Sequence, residues 1–284
     1  MNIVFCINFK YLTKAGILIT SILSNDRQSF FNFYLFSADI SQKDLEILKK
    51  LKEKFSNFSI NLINIDTSSF KNLPLNLSHI SLEAYFRWFI PQFLPKEEKA
   101  LYMDVDMIVT GKINQLYAID LNDFYVAAAP ELYADQINYK KNIGLKKEDL
   151  YVNSGVLLMN LKLWRQENLT QKLLKKSIEM GAKATYMDQD ILNVVCKNRI
   201  KEISPKYNYT MAWIKANTIK MKNVFIIHYT GAKKPWGYKK VRRGNIWKKY
   251  AKIFSKITGI KKLYPSLWVK IVSKYQFKKI KEGD

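Results

Sequence analysis

The chain has 284 residues, 48% of them hydrophobic and 14% aromatic, which supplies a sizeable buried core and excludes a wholly disordered protein. Its two cysteines, Cys6 and Cys196, sit in apolar runs and offer neither a disulfide framework nor a cysteine metal site, so a reducing compartment is expected. The formal charge of +23, from 47 basic and 24 acidic residues, calls for a phosphate-bearing partner: nucleic acid, nucleotide or lipid headgroup.

Residues 3–7 read as a first strand. No basic leader precedes them, and no stretch nears the roughly 20 apolar residues that span a bilayer, so neither secretion nor membrane insertion is expected. A helix over 12–23 and a strand over 33–36 follow, then a capping box of Ser41 and Asp44 that predicts a helix to about Phe55. Alternating Ile60, Leu62 and Ile63 predict a third strand, and 82–93 a helix that stops at Pro95. Residues 100–103 form a short apolar run with Asp104 at its carboxyl end. Further strands are predicted at 126–129, 156–159 and 224–227, the last running into His228, and helices at 169–180 and 188–196. The alternation specifies an α/β fold with a mostly parallel sheet, and such sheets bind ligands beyond the carboxyl ends of their strands.

After Gly237 the composition changes, with fifteen Lys or Arg between Lys239 and Lys281 against two acids, Glu282 and Asp284. Ile246, Trp247, Tyr250, Ile253, Phe254 and Ile257 fall on one helical face, and Lys248, Lys249, Lys252 and Lys256 on the other. Beyond Pro265 the stripe repeats as Leu267, Trp268, Ile271, Val272 and Tyr275, opposite Lys270, Lys274 and Lys278. This predicts a catalytic domain of residues 1–240 and a basic amphipathic tail of residues 241–284 that lies on an anionic membrane surface. The competing class is a basic nucleic-acid-binding α/β protein without enzymatic activity, suggested by the same charge and interleaved aromatics. The aligned apolar stripe argues against nucleic acid as the partner.

Asp104-Val105-Asp106 puts two carboxylates on one side of an extended segment, where their repulsion is costly unless a cation lies between them. A solvated turn and a metal site are both open for this motif alone. His228 also ends an apolar strand, and parallel neighbours would bring it to the edge that carries the aspartates; a purely structural histidine is the alternative. Two carboxylates and an imidazole suit manganese, with magnesium second. Gly231 permits close backbone approach and Lys234 supplies a phosphate-seeking charge. A metal beside a lysine is what a departing diphosphate needs, which points to transfer from a nucleoside diphosphate.

Asp104-Val105-Asp106, Asn153-Ser154-Gly155-Val156, residues 188–193 (Asp-Gln-Asp-Ile-Leu-Asn) and His228-Tyr229-Thr230-Gly231 with Lys234-Pro235-Trp236 resemble glycosyltransferase family 8 in order and spacing. His79-Ile80-Ser81 with Tyr85 and Arg87 resembles its bacterial lipooligosaccharide galactosyltransferase branch. The resemblance runs from Asn2 to about Trp236. It implies a Rossmann-like glycosyltransferase-A fold with a mixed, mostly parallel sheet, and a manganese ion held by Asp104, Asp106 and His228. It further implies transfer of a hexose, galactose or glucose, from a UDP-sugar to a saccharide or glycolipid acceptor, with retention of configuration. Arg87, Asn153, Asp188 and Gln189 would be the catalytic group. Asn8, Tyr11, Asp104, Val105, Ser154, Gly231 and Lys234 would complete the donor site, and His79 would face the acceptor. Singly, Arg87 also reads as a helix-surface residue, Asn153 as a turn residue and Asp188 as a helix cap. Two departures stand out: Asn8 replaces a common acidic residue in the uracil loop, and the stretch 206–222 is short. An inert scaffold is disfavoured because all three candidate ligands are present. The expected location is the cytoplasm, on the inner face of the cell membrane.

Overall fold

The computed structural model describes residues 1–70, 83–133, 139–261 and 263. Seven strands form one sheet in the order β3-β2-β1-β4-β7-β6-β8: β1 (Asn2–Cys6), β2 (Phe31–Ser37), β3 (Phe58–Asn64), β4 (Lys99–Met103), β6 (Val126–Ala128), β7 (Val156–Asn160) and β8 (Ile200–Glu202). β7 pairs antiparallel with both neighbours, β4 and β6, and every other pairing in the sheet is parallel. Two short strands, β5 (Met107–Val109) and β9 (Ile226–His228), make a separate antiparallel pair.

Both faces of the large sheet are covered, which is why its strands read as nearly unbroken apolar runs. Along β4, Leu101 and Met103 enter one core with Ile3 and Phe5, while Ala100 and Tyr102 enter the other with Val4, Leu157 and Met159. The second core is roofed by the helices Leu161–Gln166, Leu169–Met180 and Asp188–Val195. The first helix, Leu12–Asn25, lies over the first core.

Two expectations are refined. The Ser41–Asp44 box forms, with the Ser41 amide donating to Asp44 Oδ2 at 2.8 Å and the Asp44 amide donating back to Ser41 Oγ at 3.3 Å. It opens a turn, however, and the helix after it is one α turn (Glu46–Lys49) followed by a 3-10 turn (Lys50–Glu53). The single helix expected over 82–93 is Glu83–Phe86, a 3-10 turn Arg87–Phe89 and Ile90–Phe93; Pro91, without an amide hydrogen, sits in the first turn of the last piece.

The basic helix expected after Gly237 is present as Gly244–Thr258, and its apolar stripe faces protein: Trp247, Tyr250, Ala251 and Phe254 are buried in the first core. Gly16 on the first helix makes room for it, since a Cβ there would lie 2.4 Å from the Phe254 ring. Lys248, Lys249, Lys252 and Lys256 are exposed. The boundary expected at 240 therefore falls inside a shared core, while the second stripe, 267–275, lies outside the described residues. No helix among the described residues is long and apolar enough to cross a membrane. Phe254→Ala is expected to cost about 3–5 kcal/mol of stability by urea unfolding, as for other large-to-small core changes. Deleting residues from Val241 onward is expected to abolish the cooperative transition and the near-UV circular dichroism signal.

Candidate active site

Two antiparallel pairings assemble the site. Because β7 runs against β4, the loop entering β7 meets the residues leaving β4, and the Asp104 amide donates to the Gly155 carbonyl at 2.8 Å. Because β9 runs against β5, Met107 pairs with His228, and the Tyr229 amide donates to the Asp106 carbonyl at 2.9 Å. His228 thus reaches the aspartates through the small antiparallel sheet, and the expected parallel neighbour is not what delivers it.

Asp104, Asp106 and His228 each present one ligand atom, all within 4.8 Å of one another. His228 Nε2 lies 3.1 Å from Asp106 Oδ1 and 3.7 Å from Asp104 Oδ2. Asp106 Oδ1 is buried without a hydrogen bond. An orphaned buried carboxylate oxygen facing an imidazole nitrogen and a second carboxylate is a donor set that fits a divalent cation with oxygen and nitrogen preference. Lys234 pairs with the other oxygen of Asp106 and also donates to the Tyr229 carbonyl. Burial acts to raise the Asp106 carboxyl, but His228 and Lys234 outweigh it and hold the group well below the usual carboxylate range.

Arg87 sits at the centre of a second cluster. Its guanidinium is buried, 3.1 Å from Asp188 Oδ2 and 3.4 Å from Asp104 Oδ1, and donates to the Ser154 carbonyl at 2.9 Å. It also stacks over the Tyr102 ring at 4.5 Å. The helix-surface reading of Arg87 is excluded by this burial. Burial raises the Asp188 carboxyl, against the pull of Arg87, and Ser154 Oγ donates to it at 3.0 Å. Asp188 opens the helix Asp188–Val195 as its first residue, after Met187 in the left-handed region at φ 44°. That uncommon turn is held by Asp190, whose Oδ2 accepts from the Tyr186 amide at 2.7 Å and whose Oδ1 accepts from the Tyr151 hydroxyl at 2.6 Å. Gln189 Oε1 accepts from the Ser154 amide and from Asn153 Nδ2, each at 3.1 Å.

Asn8, Tyr11, Arg87, Asp104, Val105, Asp106 and Lys234 line one cleft of about 190 Å³. Asn8 Oδ1 is buried there without a hydrogen bond. Gly231 is exposed on a turn at φ 81° and does not line the cleft. His79 lies outside the described residues. A larger cleft of about 500 Å³, around Tyr34, Asn61 and Phe93, contains none of the expected site residues. Sequence reasoning missed Tyr102, Glu131, Tyr151 and Asn208. Tyr102 was findable: it stands two residues before Asp104, so both point to the same side of the strand, and its hydroxyl donates to Asp104 Oδ1. Glu131, Tyr151 and Asn208 carry no local signal.

The model of the family described as glycosyl transferase family 8 matches residues 2–240. A putative glycosyltransferase of Haemophilus influenzae is 34% identical over 245 residues, 83% of this chain and 73% of the relative. A lipopolysaccharide 1,2-glucosyltransferase of Escherichia coli is 31% identical over 257 residues, with the same two coverages. Among solved structures, the galactosyltransferase LgtC in complex with donor and acceptor sugar analogues has a TM-score of 0.74 and 26% identity, covering 94% of this chain and 99% of that one. The mixed, mostly parallel sheet is shared with LgtC, so the glycosyltransferase-A fold expected from the sequence is the fold observed.

Gly155 is the tightest steric point of the site, since a Cβ there would lie 2.4 Å from His228 Cε1 and 2.8 Å from Asp104 Oδ2. Gly155→Ala is expected to lower stability by about 1–3 kcal/mol, the usual range for overpacking, and to abolish any stabilisation by added manganese in thermal unfolding.

Proposed function

We propose that this chain, which belongs to glycosyl transferase family 8, moves a hexose, galactose or glucose, from a UDP-sugar to a saccharide acceptor with retention of configuration. The observation that carries the reading is one cleft lined by Asp104, Asp106, Lys234 and Arg87, with the buried His228 set against the two aspartates and the buried Asp188 paired to Arg87. A divalent cation, manganese before magnesium, held by Asp104, Asp106 and His228 would supply positive charge to the departing diphosphate. Lys234 would add a second positive charge, and Gly231 leaves the backbone near that lysine unobstructed. Asn8 Oδ1 is an open acceptor suited to the N–H of uracil, against the Tyr11 ring and beside Val105. His79 is assigned to the acceptor side on the resemblance alone.

In this reading the acceptor hydroxyl attacks the anomeric carbon on the face the diphosphate leaves. The bond to the diphosphate oxygen breaks as the new glycosidic bond forms, and the hydroxyl proton passes to the leaving diphosphate. Gln189 is an amide and a poor nucleophile, so it acts through its dipole: Oε1, clamped by Ser154 and Asn153, stabilises positive charge at the anomeric carbon. Arg87 holds Asp188 and Asp104 at fixed separation and offsets their charge. The named E. coli relative favours a lipopolysaccharide or lipooligosaccharide acceptor.

Such an acceptor would be met at the inner face of the cell membrane. The exposed row Lys248, Lys249, Lys252 and Lys256, together with the lysines and second stripe beyond residue 263, would dock the enzyme on anionic lipid. Replacing the four lysines by glutamate is expected to reduce cosedimentation with anionic vesicles without changing the unfolding midpoint by more than a few degrees; equal sedimentation would remove this surface from docking.

Two further outcomes test the chemistry. Chelator is expected to abolish transfer and manganese to restore it, with Asp106→Asn raising the manganese concentration required; an Asp106→Asn enzyme fully active at limiting manganese would contradict the ligand assignment. Gln189→Ala is expected to lower turnover about 10- to 1000-fold with nearly unchanged UDP affinity, and proton NMR of the product is expected to show the donor's anomeric configuration. An inverted product would overturn the mechanism.

A further inference from the structure

We infer that Asn208 is a positioning residue that keeps a proton on Nδ1 of His228, and so leaves Nε2 as the ring nitrogen able to ligate a cation beside Asp104 and Asp106. The inference rests on the metal reading of that trio for its consequence, but the tautomer itself is argued from hydrogen bonds alone. His228 is 3% exposed, with Nδ1 2.9 Å from Asn208 Oδ1 and Nε2 facing the two carboxylates. A neutral imidazole has one N–H, and the nitrogen that keeps it cannot ligate a metal.

Side-chain amides flip, so the bookkeeping must begin from groups that cannot. The Gly155 amide is a donor, and at 3.0 Å from Asn153 it requires the oxygen of that side chain to face it. The Glu131 carboxylate is an acceptor, 2.8 Å from the other end of Asn153, and requires the nitrogen there. The Ser154 amide in turn requires the oxygen of Gln189, which takes the second hydrogen of Asn153 Nδ2. With Asn153 settled, the Asn208 atom 2.9 Å from Asn153 Oδ1 must be nitrogen. The oxygen of Asn208 then faces His228, and an amide oxygen has no proton to give. Nδ1 must donate.

Asn208 is 0% exposed, so water cannot replace it. Its backbone is registered to its target: the Tyr209 amide donates to the Ile226 carbonyl at 2.9 Å and the His228 amide to the Tyr209 carbonyl at 3.1 Å. The result is one polarised chain, Gln189 to Asn153 to Asn208 to His228, joining the proposed sugar-facing amide to the proposed metal ligand. Partners of this kind, bonded to the far nitrogen of a ligating histidine, typically change metal affinity by about 10- to 100-fold when lost.

Two histidines, His79 and His228, make the test direct, because a His79→Gln background leaves one imidazole for ¹⁵N NMR. The metal-free protein is expected to show a proton on Nδ1, whether or not Nε2, which faces two carboxylates, also carries one. Asn208→Leu removes the acceptor; the proton is expected to move at least in part to Nε2, where the carboxylates attract it, and manganese affinity by calorimetry without nucleotide to fall about 10- to 100-fold. Near-UV circular dichroism and the unfolding midpoint of the Asn208→Leu protein are expected to show that it is folded, so that the loss is read at the ring and not at the fold. A folded Asn208→Leu protein with the wild-type tautomer and affinity would overturn the inference. So would a wild-type ring that carries no proton on Nδ1. A wild-type protein that shows Nδ1–H and binds no manganese would instead sink the metal reading and leave the tautomer assignment standing.

Discussion

Three aspartates, Asp104, Asp106 and Asp188, converge at the carboxyl edge of the sheet, and the other polar groups there are arranged around the cost of holding their charges together. Two carboxylates in a site of reduced dielectric repel by several kcal/mol if left alone. Each is offset separately: Asp188 by Arg87, Asp104 by Arg87 and the Tyr102 hydroxyl, Asp106 by Lys234. What remains without a hydrogen bond is Asp106 Oδ1, on the side of the two aspartates that faces His228 Nε2 at 3.1 Å. The repulsion is therefore concentrated at one point, and that point is where a cation is most strongly attracted.

The same economy explains the single reversed strand. Were β7 parallel to β4, the Asn153–Gly155 loop would enter at the far end of the sheet, some five residues of strand away from Asp104. Reversal places that loop, the Asp104 carboxylate and the start of the Asp188 helix on one edge, so backbone amides of Ser154 and Gly155 can orient the side chains around them. Backbone donors have fixed polarity, and the amide side chains inherit it from them.

Much of this was legible in the sequence, and for identifiable reasons. β4 and its two aspartates follow from an apolar run and a period of two, and the helix Leu169–Met180 from its 3.6-residue stripe. Asp104, Asp106, Asn153, Asp188, Gln189 and His228 were named because their motifs occur together and in order. Asn208, Glu131 and Tyr151 were not, because their roles exist only between elements distant in the chain: Asn208 lies 55 residues from Asn153 and 20 from His228. The Gly244–Thr258 helix shows a different limit. Its stripe states that one face is to be dehydrated but not by what, and both a lipid interface and a protein core satisfy that pattern. Gly16, the complementary notch, is 238 residues away and looks like any helix-interior glycine until Phe254 is seen above it.

That notch ties the start of the chain to its end. β1 lies inside the sheet, between β2 and β4, and the first helix behind it keeps its Gly16 face uncovered until Phe254 arrives. On the ribosome the nascent chain therefore keeps an apolar groove open, and the core that this helix shares with the sheet unfinished, until residues 244–258 are available. The groove closes only after the Gly244–Thr258 helix has left the exit tunnel, so this enzyme is completed from its carboxyl side and a prematurely released chain is presented to chaperones and proteases as unfinished.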